Sequence, residues 1–109
     1  MSKNTIKIAN CSGFYGDRLS AAKEMVDGGP IDVLTGDYLA ELTMAILYGQ
    51  KIQRGEKAGY VGTFLKQLKQ IASSCSEKNI KVVSNAGGLN PKSMAHEVKN
   101  ILDSEGLNL

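Results

Sequence analysis

The sequence predicts an α/β domain: a parallel sheet with helices on both faces, in a Rossmann-like or flavodoxin-like arrangement. Three observations carry that prediction. Short runs rich in β-branched residues alternate with longer stretches whose apolar residues recur every three or four positions. Each short run ends in glycine mixed with Asn, Ser or Asp, the composition of a strand-to-helix loop. Strict alternation of strand and helix then favours parallel pairing through right-handed crossovers. The 109 residues suit one domain spanning residues 1–109 with one core, which excludes a large multi-site enzyme for this chain alone.

The first strand is expected over Thr5 to Ala9, leaving into Asn10, Cys11, Ser12 and Gly13. Asp17 stands where an N-cap belongs. Leu19, Ala22, Met25 and Val26 follow at helical spacing, and Gly28, Gly29 and Pro30 supply a left-handed turn and a stop. Ile31 to Thr35 reads as the second strand. Asp37 is then placed to cap a helix carrying Leu39, Leu42, Ala45 and Ile46. The segment Arg54 to Gly59 interrupts the pattern. The cleanest amphipathic stripe follows at Val61, Phe64, Leu65, Leu68, Ile71, Ala72 and Cys75, with Lys66, Lys69 and Gln70 on its polar face. Ile80 to Ser84 reads as the third strand and Asn85 to Gly88 as its exit loop. Asn90 and Pro91 open a last helix, lined by Met94, Val98, Ile101 and Leu102 and ended by Gly106. Leu107 to Leu109 resembles the opening of a fourth strand, so the sheet is expected to be truncated after three to four strands.

Composition narrows the function. Thirteen Lys and Arg oppose eleven Asp and Glu, a net +2 with no basic run, which gives nucleic-acid binding no support. No apolar run approaches the ~18 residues of a membrane span, and Met1 to Lys7 lacks the apolar core of a signal peptide, so a cytoplasmic protein with no membrane partner is expected. Cys11 and Cys75 lack metal-ligand spacing and suit reduced thiols, and His96 falls on the polar side of the last helix. No metal site is predicted, and no cofactor is specified.

In an open parallel sheet, ligands bind outside the carboxyl ends of the strands, so the three strand-to-helix loops belong together. Glycine lets backbone N–H groups approach an anion, and helix starts add partial positive charge. On that ground Ser12, Gly13, Gly16, Gly36, Asn85, Gly87 and Gly88 are the predicted ligand-binding residues. The plain structural account is that such loops need Gly for positive φ and Asn, Asp or Ser for capping whatever they bind. Gly13 and Gly16 have a G-x-x-G spacing that matches neither the dinucleotide fingerprint nor a phosphate-binding P-loop. Asp17, Arg18 and Asp37 are the catalytic candidates. Capping accounts for either aspartate, while a close pair would also share a proton or hold a cation. Arg18 opposes the macrodipole of the helix it precedes and so can face a ligand anion. Cys11 is either a thiolate activated by helix starts or, more ordinarily, a small buried residue at a strand end.

The strings IANCSGFYGDR, IDVLTGDYLAELTM and KVVSNAGGLNPK, with the AGY at Ala58, Gly59 and Tyr60, resemble the opening of the acyclic terpene utilisation family, AtuA. The resemblance spans nearly the whole chain and corresponds to the first part of the N-terminal domain of longer proteins. It implies bacterial catabolism of acyclic terpenes such as citronellol and geraniol, in pathways that also use acyl-CoA carboxylases. It supplies no catalytic residue set, so the site candidates above rest on the strand-end argument.

Two functions are open at this point. One is the amino-terminal part of an enzyme acting on a small anionic metabolite or acyl-CoA. The other is a non-catalytic interaction or scaffold domain whose free sheet edge pairs with another copy, as a homo-oligomer, or with the remainder of a longer chain.

Overall fold

The structure is a computed structural model and describes residues 5–109. Three parallel strands form one sheet in the order β1 (Ile8–Asn10), β2 (Val33–Gly36), β3 (Lys81–Ser84). Four helices accompany them: α1 (Ala21–Asp27), α2 (Glu41–Arg54), α3 (Thr63–Lys78) and α4 (Pro91–Ser104). Ile8 pairs in register with Val33, and Val33 with Lys81. Each strand thus runs from the end bearing Lys7 and Asp32 toward the loops predicted to carry the site.

Sheet order determines where the helices lie. When consecutive strands are also neighbours, crossovers of one hand all pass on the same side. Ala9, Leu34 and Val82 lie in adjacent register and pack toward Ala22 and Val26 of α1 and Ile71 and Cys75 of α3. The opposite face carries Ile8 and Val83, both exposed. Among the described residues the helices therefore cover one face of the sheet, where the sequence led us to expect both.

The core is built mainly on α3. Its apolar stripe buries Phe64, Leu68, Ile71, Ala72 and Cys75, as its periodicity predicts. Asn79 closes the helix in the left-handed conformation, φ 58°, and its amide bonds the Cys75 carbonyl. Lys78 reaches back to the Val26 carbonyl at 2.8 Å, tying the ends of α1 and α3 together. Buried Gln67 accepts from the Tyr38 hydroxyl and donates to the Leu19 carbonyl, which anchors α3 to the segments after β2 and β1.

Four local expectations change. Asp17 and Asp37 do not cap helices: α1 begins after Ser20 and α2 after Ala40, neither with a side-chain cap bond. Gly28 ends α1 in right-handed geometry, φ −80°; an added Cβ would lie 2.6 Å from the Glu24 carbonyl, so glycine is required there by contact and not by handedness. On α2 the buried side is Thr43 and Leu47, whereas Leu42 is 72% exposed and Ile46 39%. Periodicity revealed an apolar stripe on α2, but Thr43 and Leu47 take the inward positions. Leu107 to Leu109 forms no strand; the Leu107 amide instead bonds the Leu102 carbonyl at 2.9 Å, after Gly106 turns the chain with φ 69°.

Candidate functional site

The three loops at the carboxyl ends of the strands do meet. The Asp37 amide donates to the Ser12 carbonyl at 3.0 Å, joining the first loop to the second. Asn85 joins the second to the third: its Nδ2 donates to Asp37 Oδ1 at 2.8 Å, and its Oδ1 accepts from the Tyr38 amide at 2.9 Å. Asp37 Oδ1 also accepts from the Leu39 amide. Parallel strands deliver these loops to one edge, and short polar side chains stitch that edge together.

Within this edge most of the predicted donors are occupied. The Gly13 amide donates to Asp17 Oδ2 at 3.0 Å and the Arg18 amide to Asp17 Oδ1 at 2.8 Å; these two bonds hold the Asp17 carboxyl below its usual range. The first loop thus carries its own anion. The Arg18 guanidinium bonds Glu24 at 2.9 Å, and the Ser12 hydroxyl donates to the Phe14 carbonyl at 3.0 Å. The Gly88 amide bonds the Asn85 carbonyl at 3.1 Å. Gly36 leaves room for the Tyr38 ring, 2.6 Å from where a Cβ would stand, and Gly87 for Pro91, 2.7 Å away. Gly16, at φ 99°, is the turn glycine of the first loop and has open space beside it. Cys11 lies beneath the edge with its Sγ 3.9 Å from the Tyr38 hydroxyl; burial pushes both groups up, so neither is a ready thiolate or phenolate.

The third loop has a second task. Its carbonyl at Ala86 accepts from the Val61 amide at 2.8 Å, the Leu89 amide donates to Gly59 at 2.9 Å, and Asn90 Nδ2 donates to Ala58 at 2.9 Å. These bonds fix the bend between α2 and α3. Gly59 adopts φ 107° there, and a Cβ added to it would stand 3.4–3.6 Å from Lys51, Asn90 and Leu89. Over the bend opens a basin of about 500 Å³ bordered by Tyr15, Gln50, Arg54, Lys57, Tyr60 and Lys66. Tyr15 comes from the first loop, and its hydroxyl accepts from Gln50 Nε2 at 3.5 Å. On the far side of Lys57 and Tyr60 a smaller hollow of about 360 Å³ is lined by Ser93, His96, Glu97 and Asn100. Burial and the nearby Glu97 carboxylate raise the Tyr60 phenol.

The model of the acyclic terpene utilisation family protein AtuA matches residues 6–109. The chain belongs to the AtuA family. Searches of curated proteins and of solved structures each returned no match. Among the described residues of this AtuA-family chain, no three His, Cys, Asp or Glu side chains gather as a metal site, and no helix is long and apolar enough to cross a membrane.

Of the residues singled out from sequence, the structure brings Ser12, Asp37 and Asn85 into one network and Gly13, Asp17 and Arg18 into another within the first loop. Gly87 and Gly88 sit inside the packing of the third loop, and Gly36 against Tyr38. The residues that sequence reasoning passed over are Tyr15, Gln50, Arg54, Lys57 and Lys66. Their signal was present but indirect: Arg54 to Gly59 broke the helical pattern with cations and glycines, the marks of a bend that gathers charge.

Proposed function

We propose that this AtuA-family chain contributes a ligand-binding edge to a protein of acyclic terpenoid and branched acyl-CoA catabolism, and that the ligand is a small anionic metabolite or an acyl-CoA. The observation that carries this reading is the Asn85 bridge, which fixes Asp37 beside the first loop and makes three loops one polar surface. Asp37 uses Oδ1 within the network, so its other oxygen is the group offered to a hydroxyl or an acidic proton of the ligand. Asn85 orients that carboxylate. Asp17, held ionised by two backbone amides, is a second acceptor, and Arg18 stands at the rim with its guanidinium paired to Glu24, a pair the ligand would share or displace. Isothermal titration with acyl-CoA esters and terpenoid acids tests the reading. Asp37→Asn keeps the Oδ1 acceptor while removing the charge, and it is expected to weaken binding by about tenfold. Equal affinity in Asp37→Asn and Arg18→Gln would reject the edge as the site.

A second reading has its own observation. Along the free edge of β3 runs an apolar groove of about 530 Å³, walled by Phe64, Leu68, Ile80, Val82, Val98 and Leu102. An unpaired strand beside exposed apolar surface is a template for an added strand, here that of a second copy of the chain. Light scattering over a range of concentrations is expected to show a dimer that Val83→Lys weakens. A monomer throughout would remove the self-pairing reading.

A further inference from the structure

We infer that the basin over the α2–α3 bend is a binding site for the phosphate or diphosphate group of a small molecule, separate from the Asp37–Asn85 edge and independent of what that edge binds. Its charge is one-sided. Arg54 comes from the last turn of α2, Lys57 from the bend and Lys66 from the second turn of α3, and the lining contains no carboxylate. The ion pairs among the described residues, Arg18–Glu24, Lys23–Asp27 and Lys99–Asp103, all lie elsewhere. None of the three cations is in an ion pair among the described residues, although Glu97 stands in the adjoining hollow that Lys57 and Tyr60 also line, and their mutual repulsion is a cost that a polyanion relieves.

Local structure does not account for all three. Arg54 complements the negative end of α2, so its place is explained without a ligand. Lys66 stands near the positive end of α3, where the macrodipole opposes it, and α3 has no acidic residue in its first turn. Lys57 lies on the exposed bend. The other polar side chains of the lining are the hydroxyls of Tyr15, Tyr60 and Thr63 and the amide of Gln50, with Ala58, Gly59 and Gly62 between them. Gly62 precedes α3 with no side-chain cap, but the Phe64 and Leu65 amides bond the Val61 and Gly62 carbonyls, so the helix start adds its partial positive charge and not a row of free donors.

The class of ligand follows from these groups. A planar guanidinium and two ammonium groups converging with neutral hydroxyls match an anion with several oxygens and more than one charge, as a phosphate ester or diphosphate has. The volume exceeds that of a bare phosphate and falls in the range of small-molecule pockets, about 300–1,000 Å³. The basin is bordered by the end of α2, the bend and the start of α3, with Tyr15 of the first loop at its rim, an extent that suits a head group.

Titration of the chain with sodium pyrophosphate at low ionic strength tests the inference. Arg54→Ala, Lys57→Ala and Lys66→Ala are each expected to raise Kd by about fivefold, with Lys99→Ala as a control that changes it by less than about twofold. Binding should also weaken as salt rises. Thermal melting of each variant shows that the fold is kept. The inference is overturned if pyrophosphate fails to bind, if Lys99→Ala weakens binding as much as the basin variants, or if an RNA oligonucleotide competes with a steeper dependence on the same three residues. None of these results bears on Asp37→Asn with terpenoid ligands, so the edge and the basin fail or stand separately.

Discussion

The strand-end loops and the α2–α3 bend are both rich in glycine, yet they use it for opposite ends. In the loops the polar groups turn inward on each other: Gly13 serves Asp17, Asn85 serves Asp37 and Tyr38, and Gly88 serves Asn85. At the bend the backbone is tied down by the third loop, and the charged side chains are left facing the basin. Polar composition alone therefore does not locate an anion site. What matters is which donors still lack an acceptor once the chain has folded. The loops then act as the frame, with Asp37 as their outward group, and the bend as the field.

The contrast can be broken or sharpened by substitution. Gly88→Ala should have the largest effect, a loss of about 2–3 kcal/mol in urea unfolding, because φ is 55° and the new Cβ would stand 3.0 Å from the Gly59 carbonyl oxygen and 2.5 Å from Leu47. Asn85→Ala removes two bonds at an exposed junction and should cost about 1 kcal/mol. Arg54→Ala and Lys57→Ala should stay within about 0.5 kcal/mol of the parent, since they support no ion pair and no core. A basin substitution as costly as Gly88→Ala would show that the cations are structural. The smallest effect concerns acid. Asp17 has its folded pKa lowered by the Gly13 and Arg18 amides, so its contribution is present above the ordinary carboxylate pKa and is lost as pH falls through the folded value. Thermal melts from neutral pH downward should show Asp17→Asn losing less stability on acidification than the parent.

Much of the frame was legible in the sequence. The α3 stripe and the Asn90–Pro91 start of α4 are where periodicity and capping place them: Asn90 accepts from the Ser93 amide at 3.3 Å, with Pro91 at the first helical position. Each strand was found with its edges shifted by at most three residues; β1, expected over Thr5 to Ala9, lies at Ile8–Asn10, while β3 ends at Ser84 as expected. Periodicity misled on α2, because it reports that a helix has an apolar side and not which side the neighbouring segments cover. The one-sided sheet was hidden for a related reason: order and crossover direction are set by tertiary packing, and Ile8 and Val83 read like core residues in any strand. The convergence of Ser12, Asp37 and Asn85 followed from parallel strands. The basin did not, since Lys66 and Arg54 are separated in sequence and joined only by the turn through Gly55 and Gly59, both with positive φ.

The most direct test is an amide-resolved NMR titration of the chain with pyrophosphate. The account predicts saturable shifts at Gly59, Gly62, Thr63 and Lys66, with Gly13, Gly16 and Gly36 unmoved. Shifts concentrated at Gly13, Gly16 and Gly36, with the bend silent, would contradict it and return anion binding to the strand ends.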